Sequence, residues 1–155
     1  MEVPLSYDHL GGRLRAIGDV PIEYDRLGSR PAKLGGWLLD YDHLGSRLRG
    51  IGPYQVEYDH FGSRARSLGE WPATYDRMGT RLRTVGPYEV TYDRMGSRMR
   101  GIGSMTITYD RLGSRARAVT FPDQSMRHGG LSEGQLLVLF FVLYLAQVEE
   151  EATRE

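Results

Sequence analysis

Cysteine is absent from the 155 residues, which removes disulfides, thiolate metal sites and thiol catalysis together and leaves the redox compartment open. Net charge is absent as well. Twenty Lys and Arg stand against 20 Asp and Glu, so no global field points toward nucleic acid or an anionic membrane. The regional offsets are small: +3 over residues 1–125, with 18 basic and 15 acidic groups, and −3 over residues 126–155, with 2 and 5. Lysine is nearly missing, Lys33 being the single one among the 20 basic residues, a skew that a GC-rich genome explains as readily as chemistry does. The opening "MEVPLSYDHL" has neither a basic n-region nor an apolar h-region. No secretory signal is therefore expected, and a cytoplasmic location is the default, with export by another route left open. The length suits one domain with a real core.

What the chain has in abundance is repetition. Tyr7, Tyr24, Tyr41, Tyr58, Tyr75, Tyr92 and Tyr109 recur every 17 residues, and each is followed by Asp. The unit reads Tyr-Asp-(His/Arg)-(Leu/Met/Phe)-Gly-(Ser/Gly/Thr)-Arg-x-Arg-x-(Ile/Leu/Val)-Gly, then about five residues rich in Pro, Trp and Tyr. "EVPLS" before the first Tyr matches "DVPIE" before the second, so the chain opens on a half unit. The repeat fades near residue 125, giving a repeat region at 1–125 and, at 126–155, a linker and tail expected to belong to the same folding unit.

Each unit accounts for itself as two short strands. In Asp-x-x-Gly the Asp side chain can accept backbone N–H bonds at a type I corner, and Gly supplies the positive φ that rejoins the ladder. The structural turn residues are thus Asp8, Gly11, Asp25, Gly28, Asp42, Gly45, Asp59, Gly62, Asp76, Gly79, Asp93, Gly96, Asp110 and Gly113. A second Gly, often with Pro, reverses the chain before the next Tyr. The fold class is mainly β: an antiparallel hairpin meander of about 14 or 15 strands, each of roughly five or six residues. Alternation with Tyr92 opposite Ser97 puts Val90 near Met99 and collects Tyr88 on the same apolar face. Thr91, Glu89, Arg98 and Arg100 then share an ionic one. Two arginine columns result, one running through Arg13, Arg30, Arg47, Arg64, Arg81, Arg98 and Arg115, the other through Arg15, Arg49, Arg66, Arg83, Arg100 and Arg117. The Asp of each Tyr-Asp pair, with Glu23, Asp40 and Glu57, is placed to interleave them.

The tail differs in kind. Ser132 and Gln135 form a capping box with Leu131 and Leu136 as the staple, so a helix starts at Glu133. "LLVLFFVLYLA" follows, eleven apolar residues that cover every side of that helix. It is too short to cross a bilayer, which needs about twenty residues, and it cannot lie on a surface. Leu136, Leu137, Leu139, Phe140, Phe141, Leu143 and Tyr144 are its candidates for burial or assembly. Fourteen or fifteen strands tilted by about 40° would close at a radius of roughly 13–14 Å, leaving one layer of side chains around a helix of radius about 5–6 Å. Closure would also remove the sheet edges. The favoured architecture is a barrel wrapped around its own C-terminal helix. An open sheet paired through that helix into a homo-oligomer, or a β-solenoid, would meet the same pattern.

The recurrent "YDRLGSR", "YDHLGSR" and "YDRMGSR" resemble the Tyr-Asp repeat of Rhs proteins and teneurins, over about residues 2–125. The resemblance implies β-hairpins joined in a spiral strip, which forms a shell around a C-terminal toxin in Rhs proteins and serves cell-surface adhesion in teneurins. By that likeness the chain is a miniature shell whose enclosed part is a helix. The unit here is shorter than the usual twenty or so residues, Ser or Thr mostly stands between Gly and Arg, and no Asp-Pro-x-Gly cleavage signature is present.

Little else in the sequence carries chemistry. His9, His43 and His60 share a turn position with Arg26, Arg77, Arg94 and Arg111, which reads as a solvated tip, and His128 has no ligand at helical spacing. The glycines are turn glycines rather than a phosphate cradle, and Ser29, Ser46, Ser63, Ser97 and Ser114 repeat where a nucleophile would need one copy. No enzyme activity, catalytic residue, cofactor or metal is expected. The expected function is structural: a shell that encloses its helix or assembles through it. The alternative is a recognition module for a protein, glycan or nucleic acid. Its candidate face is Arg47, Arg49, Arg64, Arg66, Arg81, Arg83, Arg98 and Arg100, and its candidate aromatic rim is Trp37, Tyr54, Trp71 and Tyr88. Nucleic acid is the least expected of these partners, because Tyr and Arg fall on opposite faces and the charge balances.

Overall fold

The computed structural model describes residues 2–8, 13–25, 30–42, 47–59, 64–76, 81–93, 98–110, 115–122 and 131–154. Its elements are β1 (Glu2–Tyr7), β2 (Leu14–Ile17), β3 (Val20–Tyr24), β4 (Pro31–Leu34), β5 (Trp37–Tyr41), β6 (Leu48–Ile51), β7 (Tyr54–Tyr58), β8 (Ala65–Leu68), β9 (Trp71–Tyr75), β10 (Leu82–Val85), β11 (Tyr88–Tyr92), β12 (Met99–Ile102), β13 (Met105–Tyr109), β14 (Ala116–Thr120) and α1 (Glu133–Arg154). Each strand runs antiparallel to its sequence neighbours, and β14 pairs with β1, so the meander closes into a 14-stranded barrel. The boundary near residue 125 lies outside the described residues.

The repeat dictates the shape of that barrel. Leu5 pairs with Ile17 and Ile17 with Val20, after which Ile22 pairs with Leu34, so the ladder slips by two residues per hairpin. At the seam Ile107 pairs with Val119 and Val119 with Val3, which is the same register one turn of the barrel later. Seven slips of two residues around 14 strands set a tilt of about 35° and a radius of about 13 Å. Closure is therefore one more copy of an internal joint, lacking only the covalent turn.

Two kinds of reversal alternate. At one end, two-residue turns such as Gly52-Pro53 join strand to strand with a positive φ at the first position, as a type II′ turn requires. At the other, longer loops close on a backbone bond from each Asp N–H to the Arg five residues on, as in Asp93 to Arg98 at 2.8 Å.

The register inside each hairpin departs from simple alternation. Tyr92 lies opposite Met99, not Ser97, and Val90 lies opposite Ile102, not Met99, while Ser97 itself falls outside the described residues. The cause is a β-bulge. Ser6 pairs with Ala16 and Tyr7 with Leu14, leaving Arg15 extra, and the same extra residue recurs at Ala32, Arg49, Arg66, Arg83, Arg100 and Arg117. A bulge bends and twists its strand, which a closed sheet needs at regular intervals. It also lets two inward residues stand three apart, as Leu48 and Ile51 do, both buried.

The lumen is filled by the helix. Leu137 to Val142 are all at most 2 % exposed, on every side of α1, and they share one apolar core with the inward residues of the wall. Ser132 Oγ accepts from the Gln135 N–H at 3.1 Å, and Gln135 Oε1 accepts from the Ser132 N–H at 2.9 Å, so the expected capping box forms where the helix enters. Phe121, 2 % exposed, plugs the chain's exit from the wall. At about 1.5 Å per residue the 22 residues of α1 span about 33 Å, whereas five-residue strands at this tilt cover about 14 Å of axis. The helix thus runs past the wall at the loop end.

Candidate functional site

The two arginine columns do different things. In the first, Arg13, Arg30, Arg47, Arg64, Arg81 and Arg98 each bring Nε to the Asp that flanks the same loop, at 2.6–3.2 Å. Each guanidinium also lies over the Tyr ring of the next hairpin, Arg47 over Tyr58 at 4.6 Å for example, and Arg115 completes the ring over Tyr7 at 4.3 Å. That Tyr in turn donates its hydroxyl to a strand carbonyl of the hairpin behind it: Tyr58 to Leu48 at 2.7 Å, and across the seam Tyr7 to Ala116 at 2.7 Å. Six such units, with Arg115 over Tyr7 at the seam, make a continuous Arg–Tyr belt at the loop end.

The expectation that Tyr and Arg occupy opposite faces fails at this belt. The arginine precedes its strand and sits outside the alternation, so it can fold over the neighbouring hairpin's ring. The arginines of the belt are more than two-fifths exposed, so each ion pair adds little. The Tyr hydroxyl and the stacked cation bind hairpin to hairpin. Burial, reinforced by neighbouring Tyr144, pushes the Tyr58 phenol up to about 12, and the same causes push Tyr41 higher still. Burial also raises Tyr109.

The second column stands on the bulges and points outward. Arg66 pairs with Glu57 at 2.8 Å, whereas Arg15, Arg49, Arg83, Arg100 and Arg117 make no ion pair to a described residue. The eight arginines foreseen as one binding face therefore split: Arg47, Arg64, Arg81 and Arg98 are engaged in the belt, and Arg49, Arg66, Arg83 and Arg100 form an exposed girdle.

The aromatic rim lies at the turn end. Trp37 meets Tyr54 edge-on at 5.6 Å, and Trp71 meets Tyr88 at 5.4 Å. Each ring covers the turn glycine of the next hairpin. A Cβ on Gly52 would stand 2.5 Å from Trp37 and one on Gly86 2.4 Å from Trp71, at positions whose φ is also positive. Tyr54 donates to Glu133, which raises its own pKa, and Gly134 sits beneath Trp71 and Tyr88. The rim thus grips the start of the helix.

Among the foreseen helix residues, Leu137, Leu139, Phe140 and Phe141 are fully buried, and Leu136, Leu143 and Tyr144 partly so. Val138 and Val142, not singled out in the sequence, are buried as deeply. Of the turn residues, Asp8, Asp25, Asp42, Asp59, Asp76, Asp93 and Asp110 flank the loops. Gly11, Gly28, Gly45, Gly62, Gly79, Gly96 and Gly113 lie outside the described residues, as do His9, His43, His60 and His128. Among the described residues no polar or charged side chain is buried, and no cluster of His, Asp or Glu could hold a metal ion.

No helix among the described residues is long and apolar enough to cross a membrane. The wall is apolar inward and carries Arg, Glu and Thr outward, the reverse of a lipid-facing barrel. Set against models of protein families, curated proteins and solved structures, the chain matches none of them.

Proposed function

We propose that this protein is a non-enzymatic structural unit, a β-hairpin shell whose work is to enclose its own C-terminal helix and present a rigid, edge-free cylinder. The observation that carries this reading is the unbroken belt. All seven repeats commit their Tyr and Arg to joining hairpins, and the joint at the seam is built like the others. A lumen packed with apolar side chains supports it, and so does the likeness of the repeat to the shell-forming Tyr-Asp repeats.

Light scattering of the purified chain across a concentration series tests it, with an expected constant mass near 17.6 kDa. Deleting residues 131–155 bares the inward face of the wall and should cause aggregation or loss of the fold. A truncated chain that stays monomeric and unfolds cooperatively refutes the enclosure. A mass that rises with concentration makes assembly through the helix the function instead.

A further inference from the structure

The overall neutrality conceals a segregation that only the closed meander makes spatial. Because strands follow one another around the ring, residues 71–122 form one contiguous side of the wall, the six strands β9–β14 of the fourteen. This side holds nine basic and four acidic residues, a net +5, whereas residues 1–70 hold nine and ten, a net −1. The outward position preceding the tyrosine accounts for three of the six charges of difference. It is Glu23, Asp40 and Glu57 in β3, β5 and β7, but Thr74, Thr91 and Thr108 in β9, β11 and β13. Arg66 alone of the girdle has an acid, Glu57; Arg83, Arg100 and Arg117, like Arg15 and Arg49, have no ionic partner among the described residues, but theirs is the stretch with fewest acids around them. Of the four acids in this stretch, Glu89 is the one that lies on a strand itself, the other three flanking the loops.

We propose that this side of the wall binds the phosphate backbone of single-stranded nucleic acid. The three arginines recur one per hairpin, about 12 Å apart at their Cα positions from two strand spacings and a two-residue stagger. Equal spacing of always-charged forks suits a polymer of equally spaced anions better than a protein surface of particular shape. The wall is convex, with a radius of about 13 Å. A duplex, stiff over about 150 base pairs, cannot follow that curve to reach all three, whereas a single strand can. The aromatic rings of this side face inward or pack at its ends, leaving no outward platform for base stacking. Contacts then go to the backbone and binding is independent of sequence.

The test is fluorescence anisotropy of a labelled 20-nucleotide RNA of mixed sequence with the full chain, from 50 to 200 mM KCl. Three phosphate contacts on a single strand give a log–log salt slope of about −2.1, hence about 20-fold weaker binding over that range. Arg83→Gln, Arg100→Gln and Arg117→Gln together should flatten the slope by about 0.7 per arginine, bringing it close to zero. The matching Lys triple should keep it, which separates charge from folding. Arg49→Gln with Arg66→Gln, on the balanced side, should leave affinity and slope unchanged. The proposal is overturned by absence of binding at 50 mM salt or by wild-type affinity in the Gln triple. Equal or tighter binding of a duplex of the same length or of polyglutamate also overturns it. So does salt-reversible self-association of the free protein, which would assign this side of the wall to the acidic helix end of a second copy.

Discussion

The seam offers an internal control, because Tyr7 and Tyr58 make the same hydrogen bond and the same contact with an overlying arginine at a joint without and a joint with a connecting turn. Tyr58 donates to Leu48 at 2.7 Å beneath Arg47, between hairpins joined by a turn. Tyr7 donates to Ala116 at 2.7 Å beneath Arg115, between β1 and β14, which no turn connects. Replacing either by Phe keeps the ring and the stacked cation, removes one hydrogen bond and strips a half-buried carbonyl of that partner. The cost at either site is about 1–1.5 kcal/mol, or roughly 2–6 °C in Tm for a chain of this size. Urea unfolding followed by emission of Trp37 and Trp71, both on the rim, reads the two variants against wild type. Equal losses with an unchanged m-value are expected, since unfolding abolishes seam and internal joint alike. If Tyr7→Phe costs nothing while Tyr58→Phe costs its full share, the barrel is open at the seam and the closed register is wrong. Should both cost nothing, the belt does not hold the hairpins together.

Further outcomes follow from the turns and the belt. Gly52→Ala and Gly86→Ala each combine a left-handed backbone with a ring at 2.4–2.6 Å, and each should lose about 1–3 kcal/mol and shift tryptophan emission. Gly36→Ala, which meets nothing within 4 Å and needs no positive φ, should be close to neutral by the same thermal melt. Stability should be level through neutral pH and fall as pH rises from about 10 toward 12. Tyr41, Tyr58 and Tyr109 hold their protons above the unfolded value, so the unfolded chain releases protons first over that window. A circular-dichroism titration showing no alkaline loss would contradict the burial assigned to these rings.

Much of the architecture was legible because repetition amplifies weak local signals. One "IGPY" is a poor turn signal, but a Gly at the same phase of every 17 residues marks reversals, and fourteen strands follow. The apolar run of the helix demanded to be surrounded, and the only wall in the chain had the right radius. The register was less legible, because a bulge leaves no mark in period-two alternation. Its trace was there in Leu48 and Ile51, or Leu82 and Val85, apolar residues three apart in a strand too short to be a helix. The stacking of Arg47 on Tyr58 was not readable from the unit alone, since it joins one hairpin to the next. The uneven charge of the wall escaped a count over the whole chain and became visible only once stretches of sequence became sides of the wall.

One consequence belongs to the making of the molecule rather than its finished form. Helix α1 passes from rim to belt and continues beyond it into Glu149, Glu150 and Glu151. Drawing three carboxylates through a dry apolar tube carries a large desolvation penalty, which disfavours loading a finished cylinder from the rim. The favoured order is for the sheet to curl around the helix and join its two free borders afterward. On the ribosome all fourteen strands emerge before the helix, at roughly 5–20 residues per second, and during those seconds the sheet waits with its greasy side bare. Folding becomes all-or-nothing at the level of translation. A nascent chain that stalls anywhere before residue 131 displays its whole interior to chaperones and proteases, and only a chain carrying the helix can hide it.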